Sequence, residues 1–167
     1  MNMVVPMLRS EVRAADVDDV RRLVTATGVF RADEVDIAVE LAQDAAHRGP
    51  ASDYRFFFVD GAAGAIGYSC YGRIGCTLGS YDLYWIVVDP AHHGQGIGRR
   101  LLRATETAIA ELGGRRIYVE TSSLPGYEAA RRFYVTAGYD LIARLPEFYA
   151  PGDDKCIYCR TVSPLNR

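Results

Sequence analysis

The chain has 167 residues, of which 49% are hydrophobic and 24% charged, and its formal net charge is −2. This composition excludes disorder as the dominant state and indicates one domain over residues 1–167, with a core from about 8 to 162. The near-neutral charge argues against nucleic acid or an acidic membrane as a partner. The apolar runs are too short for a membrane span, and the N-terminus lacks the pattern of a signal peptide. We therefore expect a cytoplasmic protein.

Four cysteines raise the question of disulfides or a metal site: Cys70, Cys76, Cys156 and Cys159. Without a secretion signal, a disulfide framework is not expected. The last two have Cys-x-x-Cys spacing, but they lie in an alternating apolar run, where residues three apart face opposite sides of a strand. No nearby histidine completes a zinc set. We predict a structural role for them and no metal.

Segments of different hydrophobic period follow one another, separated by clusters of Gly, Pro and Asp. The predicted strands cover 8–13, 54–59, 65–71, 81–88, 117–122, 139–145 and 155–162. The predicted helices are one capped by Asp16 and three others over 32–47, 96–112 and 126–137, with a turn-rich loop over 146–154. The strand over 81–88 is apolar on both faces, which places it in the middle of a sheet. The order predicts a mixed α/β sandwich.

The most informative segment is WIVVDPAHHGQGIGRRLL, residues 85–102, in which a buried strand is followed by a glycine-rich loop and an amphipathic helix. The first backbone N–H groups of a helix lack partners and carry partial positive charge. Because Gly94, Gly96 and Gly98 have no Cβ, an anion can approach those groups closely. The pattern predicts a phosphate cradle, and the alternative is a tight strand-to-helix turn.

Two common nucleotide-binding motifs do not fit this loop. The dinucleotide fingerprint needs a glycine where Arg99 stands, and it needs an acidic residue about 20 residues further on. The P-loop needs a lysine, which this loop lacks.

The loop from His93 to Gly98 resembles the acyl-CoA-binding motif of the GNAT acetyltransferase superfamily, Gln/Arg-x-x-Gly-x-Gly/Ala. Gly96 and Gly98 match, whereas His93 stands at the Gln/Arg position. The element order is also that of the GNAT fold, so the resemblance covers the whole chain. It implies a mixed, mostly antiparallel central sheet flanked by helices, with acetyl-CoA as co-substrate and a splay between the strands over 83–88 and 117–122. The cofactor-binding residues it implies are Val87, Val88, His93, Gly94, Gln95, Gly96, Ile97, Gly98 and Arg99.

A second segment, YEAARRFYVTAGY over 127–139, resembles the family's helix pattern Asn-x-x-Ala-x-x-Phe-Tyr followed by Gly-Phe/Tyr. Tyr127 replaces the usual Asn, and the matching residues are Ala130, Phe133, Tyr134, Gly138 and Tyr139. The resemblance implies that Tyr134 protonates the departing CoA thiolate. The alternative is that Tyr134 only packs in the core.

Direct attack by an amine needs a proton acceptor, because an amine with a pKa of about 10.4 is protonated at neutral pH. Glu120, in an apolar strand, is the first candidate for this catalytic base, and Asp82 is the second. A carboxylate among apolar residues costs free energy of desolvation unless it has a partner. In the alternative, Glu120 pairs with Arg73 or Arg116.

The segment EFYAPGDDK, residues 147–155, resembles the hairpin that borders the acceptor site in a group of small GNAT proteins. Aromatic and carboxylate contacts from Phe148, Tyr149, Asp153 and Asp154 would hold an ammonium there. The alternative is ordinary turn chemistry. The predicted substrate-binding residues are Asp82, Tyr84, Phe148 and Tyr149.

The sequence therefore predicts an N-acetyltransferase that moves acetyl from acetyl-CoA to a primary amine, of a small molecule or a peptide, by direct attack in a ternary complex. The alternative is a non-catalytic acyl-CoA-binding or regulatory module of the same fold. The acceptor's identity, the length of the acyl group and the oligomeric state are open. Many relatives dimerise, so a homodimer is one alternative.

Overall fold

A computed structural model describes residues 6–163 of the chain. In that range it confirms a mixed α/β fold with seven strands, mostly antiparallel, and four α-helices. The strands are β1 Met7–Arg9, β2 Arg55–Gly61, β3 Gly64–Arg73, β4 Ser80–Val88, β5 Arg116–Ser122, β6 Asp140–Ala150 and β7 Asp153–Thr161. The helices are α1 Asp16–Ala26, α2 Ala32–Arg48, α3 Ile97–Glu111 and α4 Glu128–Thr136. Residues 1–5, on which the signal-peptide expectation partly depends, and 164–167 lie outside the described residues.

The described chain forms two compact units. The first comprises the residues up to Gly72 together with Trp85–Thr105, and the second comprises Arg73–Tyr84 with the residues from Glu106 onward. None of the helices within residues 6–163 is long and apolar enough to cross a membrane.

In the first unit, β2 pairs with both β1 and β3 in antiparallel fashion. The apolar faces of α1 and α2 follow the helical spacing of three and four residues and are buried with strand residues in one core. Its members include Val20, Leu23, Val24, Val35, Ala38, Val39, Ala42, Phe56, Phe58, Tyr68 and Val87. Burying each large side chain of this kind stabilises the fold by about 1.5–3 kcal/mol.

The N-terminus of α1 differs from the prediction. Asp16 is the first residue of the helix rather than its cap, and the cap position is Ala15 without a side-chain hydrogen bond. The buried Asp16 carboxylate accepts hydrogen bonds from the Arg9 guanidinium (2.8 Å) and the Arg13 backbone N–H (2.6 Å). Arg9 also pairs with Asp60 at 2.7 Å, so it links the end of β1 to both β2 and α1. The strand β1 ends at this residue and does not continue to residue 13 as predicted.

In the second unit, β4 and β5 run parallel, and β7 lies antiparallel between β5 and β6. The register pairs Cys156 with Thr121 and Cys159 with Tyr118, so the two buried thiols lie on opposite faces of β7, as predicted. The expected burial of both faces of β4 is wrong for Tyr84, which is 39% exposed, whereas Tyr81, Leu83 and Val87 are buried.

The hairpin after α4 also differs from the prediction. Instead of a loop over 146–154, β6 continues to Ala150 and β7 begins at Asp153, leaving a two-residue turn. The pairing is irregular between Leu145 and Ala150, where Glu147 has φ +50°. The Asp154 carboxylate accepts from the Glu147 N–H (2.8 Å), and the Glu147 carboxylate accepts from the Gly152 N–H (3.1 Å). Residues that are typical of a loop therefore stabilise a bulged hairpin.

Gly67 on β3 provides a test of the packing under α3. A Cβ there would lie 3.0 Å from the Val87 carbonyl oxygen, 3.1 Å from Ile97 Cγ2 and 3.3 Å from Leu101 Cδ1. We expect Gly67→Val to lower the free energy of unfolding in urea by about 1–3 kcal/mol, because the added atoms overpack this contact. Gly75→Val is the control, since a Cβ at Gly75 meets nothing within 4 Å. Equal losses in the two variants would contradict the close packing.

Candidate active site

The turn between β4 and α3 is fixed at its first residue. The Asp89 N–H donates to the Ile66 carbonyl oxygen at 2.9 Å. The Asp89 carboxylate accepts from the Ala91 N–H at 2.9 Å and from the Arg22 guanidinium at 3.3 Å. Arg22 also donates to the Ala65 carbonyl oxygen at 2.6 Å. These bonds determine where the glycine-rich loop leaves the sheet.

Within that loop, Gly94 and Gly96 have φ of +77° and +76°, a conformation that side chains with a Cβ rarely adopt. A Cβ at either glycine would meet nothing within 4 Å, so the backbone angle, not packing, requires glycine. The Arg100 N–H donates to the Gly96 carbonyl at 3.0 Å and begins the helical pattern. The N–H groups of residues 97–99 precede it and have no helical acceptor. The loop therefore has the geometry of an anion site at a helix N-terminus.

His93 has a different contact from the one the motif suggested. Its Nε2 lies 3.0 Å from the Val88 carbonyl oxygen, and because a carbonyl only accepts, His93 donates this bond. Two groups assigned to the cofactor, the His93 ring and the Val88 backbone, thus bind each other. Of the remaining predicted cofactor residues, Val87 and Ile97 are buried, and Gln95 and Arg99 are exposed.

In the second unit, Asp82, Glu120 and Lys155 form a group that we call the carboxylate–lysine cluster. Asp82 is paired with Tyr118, and this is the last residue pair in the described register of β4 with β5. Glu120 lies two residues beyond Tyr118, so it is on the same face as Asp82. Lys155 Nζ lies 2.6 Å from Glu120 Oε2. Glu120 therefore pairs with a lysine rather than with Arg73 or Arg116.

The cluster changes the acidity of Asp82. Burial, and after it the neighbouring charge of Glu120, raise the pKa of Asp82, whereas the charge of Lys155 lowers it, and together they bring this pKa from 3.8 to about 6. Asp82 is thus a carboxylate that titrates close to neutral pH, a property typical of catalytic bases.

The predicted aromatic contact with an ammonium forms, but the ammonium belongs to the chain itself. Lys155 Nζ lies 3.7 Å from the ring centroid of Phe148 and 5.7 Å from that of Tyr149. The two aspartates expected beside them are engaged elsewhere. The buried Asp153 carboxylate accepts from the Ser122 hydroxyl at 2.5 Å, and Asp154 pairs with Arg144 at 2.5 Å. Both aspartates hold the hairpin in place.

Tyr134 on α4 is 5% exposed, with ring centroids of Phe133, Tyr139 and Tyr158 at 5.4, 5.7 and 6.2 Å. Burial raises the pKa of its phenol well above the usual value. Tyr134 therefore packs in an aromatic core, as the alternative stated, and its phenol is protonated throughout the neutral pH range.

Sequence reasoning did not assign Lys155 to the site. A signal was present, because Lys155 is the only lysine among 19 basic side chains and is the last residue of the predicted acceptor segment. Its pairing with Glu120 depends on the register of β5 with β7, which local sequence does not specify.

Comparison with known proteins supports the same family. A model of the acetyltransferase (GNAT) domain matches residues 52–141, more than half of the chain. A crystal structure of a GNAT-family protein from Desulfovibrio desulfuricans superposes with a TM-score of 0.87 and 41% identity, covering 94% of this chain and 99% of that chain. The N-alpha-acetyltransferase RimI of Mycobacterium tuberculosis is 35% identical over 85 residues, 50% of this chain and 51% of RimI. The aligned part of this chain spans 24% and 51% of the lengths of the two curated relatives it matches.

A more distant structure shares the fold. An aminoglycoside 6'-N-acetyltransferase complexed with coenzyme A superposes with a TM-score of 0.73 and 17% identity, over 96% of this chain and 99% of that chain. At this identity the likeness concerns the fold alone.

The acidity of Asp82 predicts a pH-dependent effect of Asp82→Asn on stability. Its pKa is higher in the folded chain than the ordinary 3.8, so the folded state favours the protonated form, and stability is lost as pH rises toward 6. We expect the difference in the free energy of unfolding, Asp82→Asn minus the parent protein, to be more positive at pH 7.5 than at pH 4. Urea denaturation at both pH values measures it. An identical difference at the two pH values would contradict the raised pKa.

Proposed function

This chain belongs to the GNAT acetyltransferase family, and we propose that it transfers the acetyl group of acetyl-CoA to a primary amine. The observation that carries the proposal is the loop of Gly94 and Gly96, whose left-handed conformation leads into the N–H groups that precede the first helical hydrogen bond of α3. Such a helix N-terminus suits the pyrophosphate of CoA. A structure of the same fold binds coenzyme A, which is consistent with this assignment.

Each predicted cofactor residue has a role in this proposal. The backbone N–H groups of residues 94–99 hold the pyrophosphate, and the exposed Arg99 adds a permanent positive charge. The backbone of β4 at Val87 and Val88 binds the pantetheine arm. His93 then acts indirectly, because its bond to the Val88 carbonyl fixes the end of β4 instead of reaching the phosphates.

Asp82 is the better proposed base of the two carboxylates. Its pKa of about 6 leaves Asp82 mostly ionised at pH 7. Compared with an aspartate of ordinary pKa, this lowers the free-energy cost of accepting a proton from an ammonium by about 3 kcal/mol. Glu120 already has the Lys155 ammonium as its partner at 2.6 Å. In this proposal Asp82 takes the proton of the external acceptor amine, directly or through water.

The raised pKa of Tyr134 refines its proposed role. Each unit by which the pKa of the phenol exceeds that of the CoA thiol adds about 1.4 kcal/mol to the free energy of complete proton transfer. A hydrogen bond from the neutral phenol stabilises the developing thiolate without that cost. We therefore assign Tyr134 as a hydrogen-bond donor to the sulfur.

A non-catalytic acyl-CoA-binding module is the second candidate, and one observation favours it. The aromatic contacts predicted for an acceptor ammonium are made with Lys155 instead. This candidate predicts cofactor binding without acetyl transfer to any amine.

Substitution of Tyr134 separates the two candidates. We expect Tyr134→Phe to lower the rate of thiol release from acetyl-CoA at least about tenfold, with little change in acetyl-CoA affinity. The assay uses pools of small amines, amino acids and peptides, and calorimetry measures the affinity. Tyr139→Phe is the control, because it removes a phenol from the same aromatic group, one that donates to Glu106 at 3.1 Å. Equal rates for Tyr134→Phe and the parent protein would contradict the assigned role.

Substitution of Gly96 tests the cradle independently of turnover. We expect Gly96→Ala to weaken CoA binding at least about tenfold in calorimetry, because a Cβ disfavours the left-handed backbone and obstructs the N–H groups. Gly28→Ala is a matched control outside the loop, since Gly28 also has a positive φ, +69°, and a Cβ there would likewise meet nothing within 4 Å. Similar CoA affinity in both variants would contradict a phosphate site at this loop.

A further inference from the structure

Lys155 lies among the residues that the sequence assigned to the acceptor amine. Its ammonium has Glu120 Oε2 at 2.6 Å and the Phe148 ring centroid at 3.7 Å. Tyr149 is the next ring, at 5.7 Å. A carboxylate and aromatic faces are the groups that recognise a primary ammonium. The cage expected for a substrate therefore already surrounds a primary amine of the chain.

The backbone fixes where this amine lies. Lys155 is on β7, which is paired on both sides, with Ser122 of β5 and with Leu145 of β6 as its partners in register. Its side chain is 12% exposed, whereas that of Glu120 is 47% exposed. The amine is thus largely shielded from solvent, while its carboxylate partner is open to solvent and can pass on a proton.

We propose that Lys155 is an internal acetyl acceptor, so that the protein acetylates its own Lys155 when no external amine competes. The proposal rests on the proposed acetyl transfer at the carboxylate–lysine cluster. Because the proposed transfer takes place at this cluster, an amine that an ion pair already holds there has an effective concentration far above that of a free amine, which favours this reaction.

The step is balanced with groups present in the cluster and the donor. One Nζ proton passes to Glu120 Oε2, and the nitrogen lone pair attacks the thioester carbonyl carbon. The C–N bond forms and the C–S bond breaks, and CoA leaves as a thiolate that takes up the second Nζ proton, so that the amide nitrogen keeps one. Overall, one ammonium and one thioester become one amide, one thiol and one proton, which Glu120 releases to solvent.

Acetylation would change the site in a defined way. It removes the positive charge from the cage and ends the ion pair with Glu120. Because Lys155 lowers the pKa of Asp82, loss of its charge would raise that pKa further. The acetylated chain would then present two carboxylates and the Phe148 ring to an external ammonium.

The test is acetylation of the purified full chain by acetyl-CoA with no added amine, followed by intact mass and peptide mapping. We expect one acetyl group on Lys155, added at least tenfold faster than to the same lysine in the urea-unfolded chain. The rate constant should not depend on protein concentration, as for a reaction within one molecule. Glu120→Gln should slow it at least tenfold, and Lys155→Arg should abolish it while keeping the charge.

A matched control places a lysine beside a carboxylate elsewhere. Arg21 lies 3.2 Å from Asp36 on an exposed surface, so Arg21→Lys in the Lys155→Arg background creates a paired lysine without the aromatic cage. We expect it to react no faster than the unfolded chain. Acetylation of Lys155 at that same slow rate, in a protein that acetylates external amines, would overturn this inference alone. Absence of CoA binding and of thiol release with every amine would overturn the proposed function as well.

Discussion

The loop after β4 depends on one constraint, the left-handed backbone of Gly94 and Gly96 at the start of α3. Asp89 fixes the strand end through Ile66, Ala91 and Arg22, so the loop begins from a defined point. The two glycines then turn the chain so that the first N–H groups of the helix precede its own hydrogen-bond pattern, which begins with the Arg100 N–H. A helix N-terminus presented in this way carries partial positive charge, which is what an anionic cofactor requires.

The second unit contains the complementary feature, a small set of charged side chains that lie close together: Asp82, Glu120 and Lys155. Two carboxylates and one ammonium lie on one face, and the ammonium neutralises Glu120 more directly than Asp82. Burial and the remaining negative charge then raise the pKa of Asp82. The same arrangement therefore distinguishes two carboxylates that the sequence presents as alternatives, because Lys155 forms its ion pair with Glu120 and the pKa of Asp82 is raised.

The aromatic and polar residues of the β6–β7 hairpin show how local patterns can be misread. Pro, Gly and two aspartates are typical of a loop. Here Asp153 accepts a hydrogen bond from Ser122 on β5, and Asp154 accepts from the Glu147 N–H inside a bulge. Asp16 is a similar case, since its partners are Arg9 and Arg13 rather than the helix it begins. In each case a hydrogen bond to a residue of another strand, from Arg9 to Asp16 and from Ser122 to Asp153, replaces the role that the local pattern suggests.

The order and type of the elements, the family resemblance and the position of the glycine-rich loop follow from the amino-acid sequence alone. These features depend on hydrophobic period and on glycine spacing, which are local properties of the chain. The tertiary structure adds that His93 binds the Val88 carbonyl, that Lys155 lies in the aromatic cage and that the pKa of Asp82 is raised. Strand register and burial determine which distant side chains meet, and neither can be read from the spacing of residues along the chain.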